Sequence, residues 1–342
     1  MPHSKRWPLL LPTSSPRSHR KARHCRVLSY NQCVEKLRHK VKHPGHAAVI
    51  NLLLREQGIR KIFVPSNFPH GLARELRNYK IKVRVKKGGI FPEREFKRAD
   101  EIKKISAALM MAEVGLAEGI QALKTSKINR DGKLNYHGVP LTSEKLRAII
   151  DIAIIQAGGL ACHTIVAGGR QGSDPHEQGH GPLHANEPII LDVFPRSQKT
   201  GYFGDITRTV VRGRASETVR RLYNTITRGQ EIAFGKIRPL ARAIDVHSAV
   251  QTFFDSEGYK TGKKNGRMHG FFHGTGHGIG LEVHESPRVG VATHDVLAVG
   301  QVITIEPGLY YPEIGGVRLE DVAAITPQGS RNLTKFEKTL EI

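Results

Sequence analysis

The sequence contains few cysteines and few aromatic residues, and it has no long apolar run. Three of its 342 residues are cysteine, 6% are aromatic, and Cys25, Cys33 and Cys162 form no CxxC pair. This odd number and spacing argue against a disulfide framework and against a cysteine-bound zinc. No apolar run reaches the roughly 18 residues of a membrane span, and WPLLLP at 7–12 is too short for a secretory signal. The sequence therefore predicts a soluble cytoplasmic protein without membrane association.

Cys162 could be considered as a nucleophile because His163 follows it. A thiolate beside an imidazole is a recognised catalytic arrangement. The surrounding residues, GLACHTIVAGG, instead predict a buried strand. We therefore expect Cys162 to be a structural residue.

Positive charge is abundant but unevenly distributed. The formal net charge is +22, with a basic excess of +10 in residues 1–50, +11 in 51–150 and +1 in 151–342. Such an excess raises nucleic-acid binding as an alternative. The basic half, however, lacks interleaved aromatics and any zinc-finger or stacking-platform motif. It is more typical of a solvated basic face or tail, so nucleic acid is not the expected partner.

Composition and periodicity divide the chain into three parts. Residues 1–25 are rich in Pro, Ser, His, Arg and Lys and predict a disordered basic tail. Residues 26–90 predict a partial α/β domain whose two helices and two strands make a thin core. Residues 91–342 mix helices and strands without regular βαβ alternation, which favours an α+β domain.

The predicted elements follow from apolar periodicity and from breaker residues. Helices are expected over 46–58, 70–80, 99–124, 143–158, 216–237 and 245–258. Strands are expected over 61–66, 81–85, 161–169, 188–195, 201–213, 301–311 and 317–329. Ser143 is the expected N-cap of its helix.

The segment 273–285, HGTGHGIGLEVHE, combines His273, His277 and His284 with four glycines. Glycine costs backbone entropy and packs no side chain, so this segment predicts neither a helix nor a core strand. The glycines are expected to leave room for a substrate and metal ions, and the imidazoles are expected to face that room. The segment contains no GxGxxG and is not a phosphate cradle.

Four acidic residues lie on otherwise apolar predicted strands: Asp192, Asp205, Glu306 and Glu320. A buried carboxylate is costly unless it is paired or binds a metal. Each could pair with one of the many Arg and Lys residues, but four together with a nearby histidine favour a metal site. This oxygen-rich set suits two divalent ions such as manganese better than a tetrahedral zinc. Two ions about 3.5–4 Å apart would hold a bridging hydroxide, which predicts hydrolysis of an amide or ester.

The segment 273–285 also fits the pattern H-G-x-[SG]-H-x-[LIV]-G-x-x-[IV]-H-[DE], by which the chain resembles the Xaa-Pro aminopeptidases and proline dipeptidases. ILDVFPRSQKTGYFGDITRTV, ITIEPGLY and GGVRLEDV resemble other blocks of that family. The resemblance covers residues 91–342. It implies an α+β pita-bread (creatinase/aminopeptidase-type) catalytic domain, related to methionine aminopeptidase and preceded here by a small, truncated α/β N-terminal domain.

The resemblance also implies roles for individual residues. The implied metal ligands are Asp192, Asp205, His277, Glu306 and Glu320. Glu306 would also exchange a proton with the bridging water. His273 and His284 would line the substrate site, His176 matches a family histidine, and Arg318 would orient a carboxylate or peptide. Manganese is the metal expected first, with cobalt, iron and zinc as alternatives.

Two departures from the family pattern are visible. Asp192 and Asp205 are thirteen residues apart where the family has eleven, and the extra residues in PRSQKTG are expected to lengthen a surface hairpin. The region 26–90 is shorter than the family's N-terminal domain, which raises the hypothesis of an aberrant chain start.

The resulting prediction is an exopeptidase that cleaves the bond before proline, in a longer peptide or in an Xaa-Pro dipeptide. Many members of the resembled family pair, so the resemblance also allows a homodimer. Proline lacks an N–H and has a fixed φ, so a dedicated pocket is expected. One alternative is a non-catalytic pita-bread protein that binds RNA or protein through its basic half. Another is a different metal hydrolase or a creatine-type amidinohydrolase on this fold, and the latter needs no metal. The complete ligand set argues against the non-catalytic protein and against the metal-free amidinohydrolase.

Overall fold

A computed structural model describes residues 7–11, 25–86 and 90–342. Contacts divide the chain into two compact units, Met1–Pro92 and Glu93–Ile342. This division lies two residues after the boundary expected from the sequence. Within the described ranges, no helix combines the length and the apolar character that crossing a bilayer requires.

In its described residues, 7–11, 25–86 and 90–92, the first unit has two pairs of parallel strands and three helices. Its strands are β1 (Trp7–Leu11), β2 (Cys25–Ser29), β3 (Lys61–Val64) and β4 (Lys82–Val85), and β1 pairs with β2 and β3 with β4. Its helices are α1 (Tyr30–Arg38), α2 (His46–Glu56) and α3 (His70–Asn78). Val49 and Leu76 are fully buried in its small cores.

The predicted disordered tail is only partly described. Within it the backbone of β1 pairs in register with β2, Trp7 opposite Cys25 and Leu11 opposite Ser29. The apolar run at 7–11 is compatible with strand pairing. The prediction of disorder rested on the overall composition of residues 1–25 and did not take this short run into account. Residues 1–6 and 12–24 of the predicted tail lie outside the described residues.

Two pairs of helices build the second unit. They are α4 (Ala99–Thr125), α5 (Ser143–Gln156), α6 (Glu217–Lys236) and α7 (Ala243–Ser256), and short 3₁₀ helices cover Pro92–Glu95 and Gly169–Ser173. On α4, a Cβ at Gly119 would lie 2.7 Å from Ile150 of α5, so the glycine permits close helix packing. The N-cap prediction was wrong by one residue: Thr142, which precedes the helix, accepts the hydrogen bond from the Lys145 N–H.

The strands of the second unit form two main antiparallel sheets and several short ribbons. Their bounds are β5 (Lys127–Ile128), β6 (Leu134–Tyr136), β7 (Val139–Pro140), β8 (Gly159–Leu160), β9 (Ile165–Gly168), β10 (Ile189–Val193), β11 (Arg196–Ser197), β12 (Ile206–Val210), β13 (Gly262–Lys264), β14 (Arg267–His269), β15 (Gly276–Gly278), β16 (Glu285–Val289), β17 (Val302–Ile305), β18 (Gly308–Tyr311), β19 (Gly315–Arg318), β20 (Asp321–Thr326) and β21 (Gly329–Asn332). One main sheet has the order β12-β10-β9, and the other has the order β16-β15-β17-β20-β21.

Alternating side chains bury both faces of the five-stranded sheet. Val302, Val322 and Ala324 join the core formed with α4, α5 and the three-stranded sheet. Ile303, Ile305, Ala323 and Ile325 join a second core with α6 and α7. This period of two is that of a strand covered on both sides. The five-stranded sheet therefore lies between the two helix pairs.

Two predicted strands are each interrupted. The segment 301–311 divides into β17 and β18, with Glu306 and Pro307 between them, and 317–329 divides so that Glu320 lies between β19 and β20. Proline cannot donate a hydrogen bond to a sheet ladder, which explains the first break. Both interruptions occur at acidic residues expected to bind metal.

Candidate metal centre

All nine residues that the sequence singled out line one cavity of the second unit, of about 360 Å³. They are His176, Asp192, Asp205, His273, His277, His284, Glu306, Arg318 and Glu320. Cys162 does not line the cavity. It is only partly buried and precedes β9, so the expectation that it lies on a buried strand was wrong. Residues 161–164 belong to no strand, and His163 among them has a positive φ of 55°, so β9 starts later than expected.

The two main sheets both supply acidic side chains to the cavity. Asp192 lies within β10 and Asp205 directly precedes β12, so both come from the three-stranded sheet. His277 lies in β15, Glu306 follows β17, and Glu320 precedes β20 of the five-stranded sheet. A hydrogen bond of 3.0 Å from the Glu320 N–H to the Thr207 carbonyl joins the two sheets here.

Three buried groups form the tightest cluster. Donor atoms of Asp205, His277 and Glu320 all lie within 4.8 Å of one another. The Nε2 of His277 lies 3.8 Å from Oδ2 of Asp205 and 3.3 Å from Oε1 of Glu306. These short distances between carboxylates and an imidazole suit shared coordination of a cation.

The donor set fits divalent metal ions. Oδ1 of Asp192 is buried and has no hydrogen-bond partner among the described residues. A buried oxygen without a partner is costly, and a cation would satisfy it. Four carboxylates with one imidazole are the hard, oxygen-rich ligands that manganese-type ions prefer. Asp192, Asp205, His277, Glu306 and Glu320 are therefore the residues that would hold metal here.

Burial and mutual repulsion shift the proton equilibria of these groups in the metal-free protein. Burial first, then the charges of Asp192 and Glu306, raise the pKa of Asp205 well above its usual range. Burial and the charge of Asp205 do the same to the pKa of Glu320. Burial raises the pKa of Glu306 to about 7 and lowers the pKa of His277 to about 3. Without a cation, Asp205 and Glu320 thus favour their protonated forms, and the His277 imidazole is neutral.

Two threonines orient the cluster. The Thr207 hydroxyl donates to Oε2 of Glu320 at 2.8 Å. Thr304 Oγ1 accepts the backbone N–H of His277 at 3.1 Å and lies 3.4 Å from Oε1 of Glu306. Sequence reasoning missed both threonines. Their signal is a hydroxyl on a fully buried strand, two residues from an acid in each case.

The Arg318 side chain makes its hydrogen bonds within the protein. Its guanidinium donates to Oδ2 of Asp192 at 2.7 Å and to the Tyr310 hydroxyl at 2.9 Å, and the residue is 3% exposed. The carboxylate that Arg318 orients in this structure is therefore the side chain of Asp192. Tyr310 had not been identified from the sequence.

Tyr310 also fixes His273. The Tyr310 hydroxyl lies 2.8 Å from Nε2 of His273, and burial raises the pKa of Tyr310 to about 12. Burial and the charge of Arg318 lower the pKa of His273 to about 3. The phenol therefore keeps its proton and the imidazole stays neutral at neutral pH.

His284 and His176 are the more accessible histidines of the cavity. The ring of His284 packs edge-on against His277, with ring centroids 4.4 Å apart. His176 is exposed, and its backbone N–H donates to Oδ1 of Asp174 at 2.9 Å. Both side chains are placed to meet a molecule that enters.

The glycines of 273–285 allow strand packing, and the expectation that this segment is no core strand was wrong. Gly276, His277 and Gly278 form β15 and are buried. A Cβ at Gly276 would lie 1.9 Å from the Thr304 carbonyl oxygen, and one at Gly278 would lie 2.1 Å from that of Ser286. The missing side chains therefore make room for neighbouring backbone, more than for substrate or metal.

Glu285, next to His284, is the centre of a buried ion network. It accepts 2.9 Å hydrogen bonds from Lys97 Nζ and from the Leu281 N–H, and it also pairs with Arg94. A Cβ at Gly280 would meet the Glu285 carboxylate at 2.5 Å. The network ties the loop that carries His284 to the segment before α4.

The insertion between the two aspartates leaves the sheet register intact. Asp192 remains opposite Thr207 in the β10–β12 ladder. The connection between the two aspartates contains β11, which pairs with β8. The predicted lengthening of the hairpin thus does not displace either strand that carries an aspartate.

Comparison with known proteins places this site in context. The profile described as metallopeptidase family M24 matches residues 103–327. The chain is 32% identical to the Xaa-Pro dipeptidase of Pyrococcus horikoshii over 289 residues, which are 83% of this chain and 76% of that protein.

Solved structures show the same likeness. The prolidase of Pyrococcus horikoshii OT3 superposes with a TM-score of 0.72 at 30% identity, covering 85% of this chain and 79% of its own. The X-Pro aminopeptidase of Thermotoga maritima MSB8 superposes with a TM-score of 0.79 at 22% identity, covering 99% of this chain and 88% of its own. At that identity the likeness concerns the fold alone. These neighbours confirm the α+β, pita-bread fold class predicted from the sequence.

Proposed function

The chain belongs to metallopeptidase family M24, and from this premise we propose that it is a dinuclear-metal exopeptidase that hydrolyses the peptide bond before proline. The observation that carries the proposal is the convergence of Asp192, Asp205, His277, Glu306 and Glu320 on one cavity. The orphaned Oδ1 of Asp192 supports a second cation beyond the Asp205–His277–Glu320 cluster. When bound, divalent ions supply Lewis acidity and lower the pKa of a water.

The protein's own groups have distinct tasks in this proposal. Glu306, beside the Nε2 of His277 at 3.3 Å, takes up the proton of the attacking water and returns it. His284 donates a hydrogen bond to the substrate from the accessible side of the cavity. His273, held by Tyr310, stays neutral and presents a fixed ring beside it.

The apolar wall of the cavity supports a proline-containing substrate. Ile165, Phe194, Val283 and Val289 line it together with Pro175. A pyrrolidine ring is apolar and its nitrogen carries no N–H in a peptide, so it needs no hydrogen-bond donor or acceptor from this wall.

Manganese-loaded protein assayed on Ala-Pro, Ala-Pro-Ala and Ala-Ala tests the proposal, with the cobalt-, iron- and zinc-loaded forms compared in parallel. We expect cleavage of the first two peptides, at least about 10-fold slower cleavage of Ala-Ala, and no cleavage with Asp205→Asn. Equal cleavage of Ala-Ala, or activity of Asp205→Asn at the wild-type rate, would contradict it. Titration of manganese against activity counts the ions, and saturation at one ion per chain would exclude the dinuclear form.

A further inference from the structure

The β3–β4 sheet of the first unit has one face that no described residue covers. In this parallel pair, Lys61 lies opposite Lys82. Two residues further on, Phe63 lies opposite Arg84. Because side chains alternate along a strand, these four residues share one face of the sheet, and all four are exposed. We name this group of four the β3–β4 face.

The opposite side of the same sheet packs inside the unit. Val64 and Val83 are buried there, in a core that includes Ala47 of α2 and Leu76 of α3. Parallel strands are usually covered on both sides. Here the helices cover one side, while Phe63 on the other is 57% exposed. An aromatic ring therefore faces solvent from an open sheet.

The charge around Phe63 is strongly positive and has few acids to balance it. The first unit contains twenty-one Lys and Arg but three Asp and Glu, and none of these acids lies in β3 or β4. Two of the three acids already form ion pairs with cations of α1. Within residues 25–86 and 90–342, the three cations of the β3–β4 face have no acidic partner within 4 Å. They are therefore free to meet an anion.

The combination of an exposed ring with cations favours single-stranded nucleic acid among possible partners. Lysine and arginine bind phosphates, and aromatic rings on an open sheet stack with unpaired bases. Nζ of Lys61 lies 4.8 Å from the centre of the Phe63 ring, so a cation stands beside the stacking surface. A second copy of the chain would bring like charges together, and a lipid surface needs a wider apolar face than one ring.

Strand pairing creates this arrangement, which explains why nucleic acid was not the partner expected from the sequence. Phe63 and Arg84 lie on separate segments of the chain, and a helix lies between them in sequence. Only the register of β3 with β4 places them side by side.

We propose that the β3–β4 face binds single-stranded nucleic acid, with one base stacked on Phe63 and the backbone phosphates held by the three cations. This activity makes no use of the metal cavity and goes beyond the proposed function. Stacking and charge contacts read no base edges, so the binding has little sequence preference.

Fluorescence anisotropy of the full chain with labelled oligo(U) or oligo(dT) of about 12 nucleotides tests the proposal. The salt concentration is varied between about 50 and 200 mM KCl. Single strands should bind more tightly than the matching duplexes, despite the denser charge of a duplex, because paired bases cannot stack on Phe63. Phe63→Ala should weaken binding by about 5- to 100-fold and leave the slope of log Kd against log salt unchanged. Arg84→Gln should reduce that slope by about 0.7.

Three further variants separate stacking from other effects. Phe63→Tyr keeps an aromatic ring and should retain binding. Phe91 is 66% exposed and lies outside both strands, and Arg77 is exposed on α3, the helix behind the covered side. Phe91→Ala and Arg77→Gln are therefore the matched controls and should change Kd by less than about twofold.

Three results would overturn the proposal: no binding of single strands at about 50 mM KCl, binding of duplexes that is equal or tighter, or wild-type binding by Phe63→Ala. Vesicles containing phosphatidylserine are tested in parallel. Vesicle binding that Phe63→Ala abolishes, without binding of single strands, would assign the β3–β4 face to a membrane surface and also overturn the proposal.

Discussion

Replacing Glu285 by glutamine should destabilise the second unit, because it leaves the buried Lys97 without its carboxylate partner. The Lys97 side chain is 2% exposed and that of Glu285 is 7% exposed. Loss of one partner leaves a buried ammonium uncompensated, which costs about 3–5 kcal/mol. Glutamine can still accept from the backbone N–H groups of Leu281 and Glu282, and Arg94 is exposed enough to recover hydration. We therefore expect a loss of about 3 kcal/mol.

The assay is urea unfolding followed by far-ultraviolet circular dichroism. With an m-value of about 3 kcal/mol/M, the loss shifts the midpoint by about 1 M. The double variant Lys97→Met/Glu285→Gln removes both buried charges and should recover at least about half of the loss. Glu282→Gln is the matched control, because this neighbouring acid is 68% exposed and meets Arg94 at 3.6 Å. It should change stability by less than about 0.5 kcal/mol.

The same prediction has a pH dependence. Burial alone would raise the pKa of Glu285, but hydrogen bonds from Lys97 and Arg94 outweigh it and hold the pKa below 4.5. The stabilisation by ionised Glu285 is then complete above pH 4.5 and is lost as the pH falls through the lower pKa of the folded state. The difference in the free energy of unfolding between the wild type and Glu285→Gln should become smaller below pH 4.5. Identical midpoints at neutral pH, or a double variant no more stable than the single one, would refute the reasoning.

Two further predictions concern the cavity. His277→Ala should lose bound metal, whereas His284→Ala should keep the metal and lower kcat by about 100-fold. Metal analysis and steady-state kinetics of both variants check this prediction. Equal metal contents in the two variants would contradict the ligand assignment. In the metal-free protein, burial raises the pKa of Glu306 from 4.5 to about 7, so its contribution to stability is complete below pH 4.5 and is lost as the pH rises through about 7. The urea midpoint of the chelated protein should therefore fall between about pH 5 and pH 7.5, and manganese should reduce that fall; a midpoint that rises over this range would refute the assignment.

The parts of the site that could be predicted from the sequence are those with a local chemical signature. An acid within an apolar strand, such as Asp192, is unusual enough to be noticed alone. The pattern of 273–285 places His277 beside a second histidine at fixed spacing. Long amphipathic helices such as α4 were also predicted closely, because the periodicity over many residues outweighs errors at single positions.

What could not be predicted depends on contacts between distant segments. Glu285 and Lys97 are 188 residues apart in sequence, and neither shows its partner in its local pattern. Arg288 is one exposed arginine among many until the sheet register sets it opposite His277. The division of 301–311 into two strands was missed because the apolar pattern of the sequence continues across Glu306. The strand itself ends at Ile305, and the next strand begins at Gly308.

The distribution of the acidic residues over two sheets has a consequence for the time course of folding. Asp192 and Asp205 belong to one hairpin, so they can approach each other early, through a short loop. Glu306 and Glu320 join only when the second sheet has formed and docked, over a sequence separation of more than one hundred residues. Contacts of such separation form slowly. A newly made chain will therefore pass through a stage in which the hairpin offers only two carboxylates and binds cations weakly. Tight and selective metal binding then occurs late and indicates that the fold is complete.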